Sequence, residues 1–333
     1  MAITAKQIAA QLHLSEASVS IALHQKSGVS TKTRKRILDT ARSLGYDFTK
    51  INPTHKESGI ISLMFYNKRT IFDTPFFIEL TSGVEEGFKN SGYRLMINHI
   101  HDLDDVSEQL NTILENGCDG IILLGTEMER EDFSPFSFLD VPIVLLDSYF
   151  ESVKMDCILI NNVDGARLAT NYLIKKCCSQ PGYLHSSCLI SNFLERSDGF
   201  YKSIRQNGMS VSQSIIHSLS PSIDAAHADM LAILEQGDPI AKCYFADNDD
   251  IAIGAMRAFK EKGYRIPEDI SIIGFDNMPF AAYIEPALTT VNVPKAYMGR
   301  LAAERMLTVI NQQEYHPIKI EVNTNIIIRN SIK

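Results

Sequence analysis

The sequence has no tryptophan, no long apolar run and no cysteine spacing typical of a metal site. No segment approaches the roughly 18 consecutive apolar residues that a membrane-spanning helix needs, so we expect no transmembrane helix. The N-terminus places Lys6 before an amphipathic pattern rather than before the apolar segment of a signal peptide, which predicts a cytoplasmic protein. The six cysteines include the adjacent pair Cys177 and Cys178 but no C-x-x-C. We therefore expect all six to be reduced.

Motifs of nucleotide-dependent and acyl-transfer enzymes are also absent. There is no GxxxxGK[ST], no GxSxG and no GxGxxG after a predicted strand. His99 and His101 lie two apart on a predicted strand and could meet a metal ion, but no third ligand follows at a matching spacing. Asp247, Asp249 and Asp250 lack the Gly and Glu of a calcium-binding loop. We predict a protein that is not an enzyme and that holds no cofactor and no metal ion.

The 333 residues are enough for two or three domains. Charge is distributed unevenly along them. Residues 1–56 contain nine Lys and Arg against three acids, a net charge of +6, whereas the whole chain carries −8. Residues 57–333 therefore carry −14. A basic head on an acidic body is typical of a nucleic-acid-binding protein whose body has a different task.

Residues 4–46 have the pattern of three short helices. Thr4, Ser15 and Ser30 stand where N-caps are expected, and Gly45 stands where a helix end needs a left-handed residue. Two short helices joined by a tight turn, the second polar on its outer face, fit the major groove of DNA. Apolar residues recur at the spacing of one buried helix face: Ile8, Ala9 and Leu12; Val19, Ala22 and Leu23; Ile37, Leu38, Ala41 and Leu44.

These positions resemble the DNA-binding head of the lactose-repressor (LacI/GalR) family of bacterial transcription regulators. The similarity runs in register through all three helices, from Thr4 and Ile8-Ala9 through Leu14-Ser15 and Val19-Ser20 to Leu44-Gly45-Tyr46. It implies a helix-turn-helix domain over residues 1–46 and a linker over residues 47–58. The residues predicted to contact DNA are Thr4, Ser15, Glu16, Ala17, Ser18, Ser20, Ile21, His24, Ser30, Thr31, Arg34 and Lys50.

The N-terminal residues of the second helix are expected to face the base edges. Glu16 could accept a hydrogen bond from cytosine, while Ala17 and Ile21 suit thymine methyl groups. The family usually has Arg at the position of Ile21, and Glu16 could instead only favour the helix dipole.

The linker departs most from the family. Relatives carry a short Ala-Arg-x-Leu helix that wedges a Leu into the minor groove. Here residues 49–56 lack that motif and contain Pro53, so we expect little bending of the DNA and phosphate contacts from Lys50 and Lys56.

Beyond residue 58 apolar strands alternate with helices, which predicts parallel sheets covered on both faces. The pattern restarts after Asn161, and two successive units of this kind predict two similar doubly wound lobes. By itself the pattern leaves open which lobe receives the segment from Leu288 to the C-terminus.

The body also resembles the same family, whose body has a periplasmic-binding-protein-like fold. Segments such as Cys118-Asp119-Gly120, Asn248-Asp249 and Gly274-Phe275-Asp276 occur in the expected order. The resemblance implies an effector-binding lobe 1 of residues 59–161 and 292–322. Lobe 2 then comprises residues 162–291 and 323–333.

Ligands of open α/β sheets bind at the carboxyl ends of strands. Asp147, Asn248 and Asp276 directly follow predicted strands and are therefore candidate ligand-binding residues. Arg196 lies near another strand end and is a fourth candidate. Carboxylates and a guanidinium suit a ligand rich in hydroxyls. The resemblance places effector contacts at these four positions and apolar walls at Tyr66, Phe76 and Phe77.

Each position has a simpler interpretation. Asp147 and Asp276 could be solvated loop acids, and Asn248 or Asp247 could cap the following helix. Arg196 could form a surface ion pair, and Phe76 and Phe77 could be core residues.

We predict a cytoplasmic, homodimeric transcription repressor that binds operator DNA and is controlled by a small-molecule effector bound between the lobes, a sugar rather than a nucleobase. The alternative is a sugar- or nucleobase-binding protein or enzyme of the same α/β fold without DNA regulation. The sequence does not indicate whether the effector releases or promotes DNA binding.

Overall fold

The computed structural model of the chain describes residues 3–23, 29–44, 46, 58–68, 75–102, 104–151, 153–311 and 316–333. The chain divides into two compact units, Met1–Ser58 and Gly59–Lys333. Within the described residues no helix is both long and apolar enough to cross a lipid bilayer. The predicted fold class, a three-helix head followed by an α/β body with two parallel-dominated sheets, is confirmed.

The head consists of the helices α1 (Ala5–Leu12), α2 (Glu16–Leu23) and α3 (Thr31–Ser43). The predicted caps are present: Thr4 forms a reciprocal capping box with Gln7, the Ser15 hydroxyl accepts from the Ser18 amide at 3.1 Å, and the Ser30 hydroxyl accepts from the Thr33 amide at 3.2 Å. The predicted left-handed end at Gly45 and the linker up to residue 57 lie outside the described residues. The buried core of the head consists of Ile8, Ala9, Leu12, Val19, Ala22, Leu23, Ile37 and Ala41.

The first sheet of the body is parallel throughout. The helices α4 (Pro75–Phe88) and α10 (Lys295–Asn311) cover one face, and α5 (Val106–Glu115) lies on the other. In spatial order its strands are β11 (Lys319–Val322), β5 (Asp156–Ile160), β4 (Ile143–Leu146), β3 (Gly120–Leu124), β1 (Ile60–Asn67) and β2 (Arg94–His101).

The second sheet is parallel except for its last strand, which runs antiparallel to its neighbour. In spatial order its strands are β12 (Asn325–Ile327), β10 (Thr289–Asn292), β9 (Ser271–Asp276), β8 (Cys243–Ala246), β6 (Gly182–Ser186) and β7 (Ile216–Leu219). Its helices are α6 (Asn162–Cys177), α7 (Ser191–Gln206), α8 (Ile223–Gln236) and α9 (Asp249–Glu261).

The chain passes between the two sheets three times. It leaves the first sheet after β5, returns from β10 to α10, and crosses again between β11 and β12. Helix α10 packs closely on α4, because Gly83 and Gly299 bring each backbone against the other helix. This packing fixes α4, whose first turn carries Phe76 and Phe77.

The largest difference from the predicted elements concerns α7. The sequence pattern predicts a helix from Glu195, whereas the helix begins four residues earlier, at Ser191. Arg196 therefore lies in the second turn of a buried helix face and not at a helix start. Ile190, the residue before the helix, makes no side-chain cap, so the cap signal that marks other helix starts is missing here.

Candidate functional site

A pocket lies at the carboxyl ends of strands from both sheets. The first-sheet unit contributes the α4 start and the residues after β3 and β4. The second-sheet unit contributes α7 and the residues after β8 and β9. The lining residues are Phe76, Phe77, Thr126, Asp147, Ile190, Asn192, Phe193, Arg196, Pro221, Asn248, Asp249, Asp250, Asp276 and Met278. Six of the seven predicted effector-binding residues are thus brought to one pocket.

Asp147 is held rigidly directly after β4. Its carboxylate accepts from the Thr126 hydroxyl at 2.7 Å and from the Asn192 amide at 3.1 Å. Asn192 belongs to α7, so this second bond joins the first-sheet side of the pocket to the second-sheet side. Burial raises the pKa of Asp147 to about 6, although these bonds and the charge of Arg196 act in the opposite direction.

The Arg196 guanidinium is buried and joins several parts of the pocket. Its Nε donates to Asn162 Oδ1 at 2.9 Å, and its Nη2 donates to Asp276 Oδ1 at 3.0 Å. A third bond runs from Nη1 to the backbone carbonyl of Asp247. The guanidinium carbon lies 3.8 Å from the centre of the Phe275 ring, which adds a cation–π contact. A surface ion pair, the simpler interpretation of Arg196, is wrong because its side chain is only 3% exposed.

Asn162 connects both halves of this arrangement. Its Nδ2 donates to Asn192 Oδ1 at 3.0 Å and to Glu195 Oε2 at 2.9 Å, while its Oδ1 accepts from Arg196. Asn192, Glu195 and Arg196 are spaced i, i+3, i+4 and therefore share one face of α7. One amide thus orients the residues that hold both Asp147 and Asp276.

Asn248 and Asp249, which follow β8, make different contacts. Asn248 caps α9 by accepting from the Ile251 amide at 2.9 Å and also lines the pocket. The carboxylate of Asp249 accepts from the Met278 amide at 2.6 Å and the Thr290 hydroxyl at 2.5 Å, and burial raises its pKa well above the ordinary value. Asp249 therefore fixes the neighbouring loop, whereas Asn248 remains available to a ligand.

A second polar layer lies beneath the pocket around Asp247, which is completely buried. Its carboxylate accepts from the Ser186 amide at 2.7 Å and from the Tyr183 hydroxyl, and it lies 2.7 Å from Nδ1 of His185. The hydrogen bond to Asp247 raises the pKa of His185. Of the two residues that the sequence offered as a cap of α9, Asn248 is therefore the one that caps it, whereas the Asp247 side chain is bonded elsewhere.

The two aspartates that were predicted to contact the effector have backbone conformations that L-residues seldom adopt. Asp147 has φ 61° and Asp276 has φ 101°, and Asn277 follows with φ 51°. Such conformations persist only where the surroundings impose them, and they concentrate at binding sites. They distinguish Asp147 and Asp276 from ordinary solvated loop acids.

Tyr66 is the predicted wall residue that does not line the pocket. It is 2% exposed and packs edge-on against Phe136, at 6.3 Å between ring centres, in the core on the α5 face of the first sheet. Alternation along β1 explains the difference, since Phe65 faces the α4 side and Tyr66 the opposite side.

The predicted DNA-contacting residues that the structure describes lie at the N-terminal caps of the three helices or within α2 and α3. Glu16, Ala17 and Ser20 are exposed on α2, whereas Ser18 and Ile21 are half-buried. Thr4, Ser15 and Ser30 cap the three helices, and Arg34 lies half-buried on α3. His24 and Lys50 lie outside the described residues, as does the side chain of Thr31.

The pocket residues that the sequence did not single out fall into two groups. Thr126 and Asn192 are polar side chains whose role depends on contacts between distant segments, as does that of Asn162, which bonds to Asn192 but does not line the pocket. Phe193, Ile190 and Met278 form apolar walls. Within the described part of the chain, no group of three or more His, Cys, Asp or Glu is placed to hold a metal ion.

Comparison with known proteins matches the chain along almost its full length. Residues 171–332 match the family of periplasmic binding protein-like domains. The chain is 29% identical to the HTH-type transcriptional repressor PurR of Mannheimia succiniciproducens over 99% of this chain and 98% of that repressor. It is 27% identical to the ribose operon repressor of Halalkalibacterium halodurans, over 99% and 97% of the two chains.

Solved structures agree on the fold. The complex of the transcriptional regulator CelR with cellobiose superposes with a TM-score of 0.73 at 23% identity, over 99% of each chain. The lac repressor dimer bound to operator gives a TM-score of 0.73 at 19% identity, again over 99% of each chain. Along almost its whole length the chain is thus similar to transcriptional repressors such as PurR and the ribose operon repressor, and it shares the fold of the lac repressor.

Proposed function

We propose that this chain is a sequence-specific DNA-binding transcription repressor, and not an enzyme, whose operator affinity is set by a small molecule bound in the pocket. The observation that carries the proposal is the composition of that pocket. Its walls come from both sheets, and Asn192 already bonds to Asp147 across it. A ligand that competes for Asp147 or Arg196 therefore changes how the two halves of the body are joined, which is the requirement for control at a distance.

The lobes of this proposal follow the two sheets. Lobe 1 comprises residues 59–161 and 292–322, and lobe 2 comprises residues 162–291 and 323–333. The placement of β11 in the first sheet and of β12 in the second supports this division.

The charge of the pocket limits the class of effector. Among the described lining residues, Asp147, Asp250 and Asp276 are accompanied by one cation, Arg196, three of whose N–H groups are already bonded inside the protein. Burial, followed by the charge of Asp276, raises the pKa of Asp250 to about 6. A phosphate or carboxylate would be repelled here. The pocket instead suits an uncharged ligand that donates hydroxyl hydrogens to carboxylates and rests its C–H faces on Phe76 and Phe77.

An uncharged sugar fits this description better than a nucleobase, because a sugar offers several donors in different directions. Two of the relatives point the same way: one is named for the ribose operon and another was solved with cellobiose. Nucleobases stay among the compounds to be tested, because their ring nitrogens and amino groups also form hydrogen bonds with carboxylates.

DNA binding is tested by an electrophoretic shift on the DNA upstream of the gene, with unrelated DNA of equal length as the control. Specific binding should persist at salt concentrations that abolish the shift of the control, because nonspecific binding depends almost entirely on phosphate contacts. Identical salt dependence for the two fragments would contradict the proposal. Ligand binding without any specific shift would favour the alternative, a binding protein or enzyme of this fold without DNA regulation.

Effector binding is tested by thermal unfolding in the presence of uncharged sugars, phosphorylated sugars and nucleobases. We expect uncharged sugars to stabilise the protein and phosphorylated ones to have no effect. Asp276→Ala should then weaken the effector by about 1.5–3 kcal/mol, the range for a hydrogen bond to a charged group, and leave operator binding intact. Normal effector titration of Asp276→Ala would place the ligand in another pocket.

We further propose that the active form is a cytoplasmic homodimer joined through the body, since a small head alone offers little surface and a palindromic operator requires two-fold symmetry.

A further inference from the structure

Lys295 is a buried cation in the first turn of α10. Only 1% of its side chain is exposed, and it begins the helix directly after Pro294. Neither feature favours a cation, because burial removes its hydration and the helix dipole disfavours positive charge at the N-terminus. A buried ammonium therefore needs acceptors around it, and the identity of these acceptors shows which segments it holds together.

The first acceptors belong to the turn that follows β9. The ammonium donates to the backbone carbonyl of Asp276 at 2.7 Å and lies 3.4 Å from that of Asn277. These two consecutive residues have positive φ, a conformation that the surroundings must impose. Two carbonyls of one turn that converge on a single cation supply part of this constraint.

Other bonds of this turn stay within the second-sheet unit. The Asn277 side chain donates to Asn292 Oδ1 at 2.9 Å and accepts from Arg329 at 2.7 Å. Lys295 adds a connection of a different kind, because its ammonium also reaches α4 of the first-sheet unit.

The contacts of the ammonium on α4 include a pocket residue. It lies 3.5 Å from a carboxylate oxygen of Glu79 and 5.8 Å from the centre of the Phe76 ring, within the range of a cation–π interaction. Phe76 and Asp276 both line the pocket. One buried cation thus contacts a lining residue from each unit, in addition to the bond between Asn192 and Asp147.

We propose that Lys295 is a positioning residue of the effector pocket, which fixes the turn of Asp276 against α4 and thereby sets the affinity for the effector. This inference rests on the proposed function, because it assumes that the pocket binds the effector. Lys295 is not among the described lining residues, so it acts through residues that are. Asp276 carries the carboxylate that Arg196 contacts at 3.0 Å, and the position of its backbone decides where that carboxylate points.

Arg300 provides a matched control on the same pair of helices. It also lies on α10 and forms an ion pair with a glutamate of α4, Glu86, at 2.7 Å. Its guanidinium is half-exposed and lies over the Tyr297 ring. Arg300→Met therefore removes a cation that joins α10 to α4 but is separate from the Asp276 turn.

Hydrogen–deuterium exchange of the full chain tests the positioning without a ligand. The amides of Asn277 and Met278 donate to side chains of the second-sheet unit at 3.3 and 2.6 Å, so their protection reports on the turn. In Lys295→Met these amides should exchange about tenfold faster, the effect of losing one hydrogen bond, and in Arg300→Met they should be unchanged. Unchanged exchange in Lys295→Met, or an equal rise throughout the body, would overturn the proposal.

Titration calorimetry with ribose and with cellobiose, the sugars that appear in the names of two relatives, tests the effect on affinity. For a sugar that binds the wild type, Lys295→Met should weaken binding by roughly tenfold, and Arg300→Met should not. In the Asp276→Ala background, Lys295→Met should add little further loss, because it acts through Asp276. Two losses that simply add would contradict the proposal.

The two measurements separate this proposal from the proposed function. Binding of neither sugar by the wild type would count against a sugar effector, and the exchange measurement would then decide the role of Lys295. Circular dichroism identifies a variant that fails to fold. If Lys295→Met does so, Glu79→Ala tests the same connection, because Glu79 is 45% exposed and its removal leaves the buried ammonium without its carboxylate. Faster exchange at Met278 is expected there, and unchanged exchange would refute the role of Lys295.

Discussion

Removal of the Arg196 side chain should strongly lower the free energy of unfolding of the body. Arg196→Ala leaves the Asp276 carboxylate and the Asp247 carbonyl without their buried donor. Breaking a buried ion pair by removing one partner typically costs about 3–5 kcal/mol, because the remaining charge is left uncompensated. We expect a loss of that size in the free energy of unfolding, measured by urea denaturation.

Arg257 provides the control. It also forms an ion pair with an aspartate, Asp224, at 2.7 Å, but the two side chains are 50% and 92% exposed. Exposed pairs contribute only about 0–1 kcal/mol, so Arg257→Ala should be nearly neutral. Equal losses for the two variants would show that burial is not what makes Arg196 important.

Asp147 predicts a pH dependence with a definite sign. Its pKa is about 6 in the folded protein, above the ordinary carboxyl value, so the folded state binds the proton more tightly than the unfolded state. Its contribution to stability is therefore present at low pH and is lost as the pH rises through about 6. Asp147→Asn should show a smaller fall in the free energy of unfolding between pH 4 and pH 7 than the wild type. Parallel pH profiles would contradict this assignment.

At the scale of elements, the exposed face of α2 is the predicted reading surface. Glu16 is exposed there, 4.0 Å from Lys6, and Ile21 is half-buried beside the core residue Ala22. Glu16→Ala and Ile21→Ala should each change the ranking of a panel of operator variants, by about 1–3 kcal/mol at the affected base pair. Binding weakened equally for every operator would limit these residues to a nonspecific role.

The contact between α4 and α10 gives a prediction that opposes helix propensity. Gly83→Ala would favour an isolated helix by up to about 1 kcal/mol, but the added methyl group would strike the backbone of Ala296. We therefore expect a net loss on the order of 1–3 kcal/mol in the free energy of unfolding. Ser82→Ala, at the exposed neighbouring position on α4, should show no such loss. A more stable Gly83→Ala variant would mean that the two helices separate easily.

At the scale of the whole molecule, the acidic body is expected to form the dimer. The contact faces that the sequence suggests are the helix at Phe76–Ser91 and the region Arg257–Tyr264. Ile78, on α4, is 66% exposed, an apolar side chain that a partner could cover. Sedimentation of residues 57–333 at micromolar concentration should give a dimer. A monomer would place the self-association in the head or on DNA.

Three features could be predicted from the sequence alone: the helices of the head, the alternation of strand and helix, and the strand ends that carry Asp147, Asn248 and Asp276. These features are local: caps, apolar periodicity and the residue after a strand can be read without knowing which segments meet. For the same reason the sequence could not indicate which face of β1 carries Tyr66.

The polar residues that cooperate in the pocket come together through tertiary packing. Asn162 bonds to residues about 30 positions away, and Asn192 reaches Asp147 across 45 positions. Such contacts depend on the crossing of the chain between two sheets, and no spacing in the sequence specifies which side chains that crossing brings together.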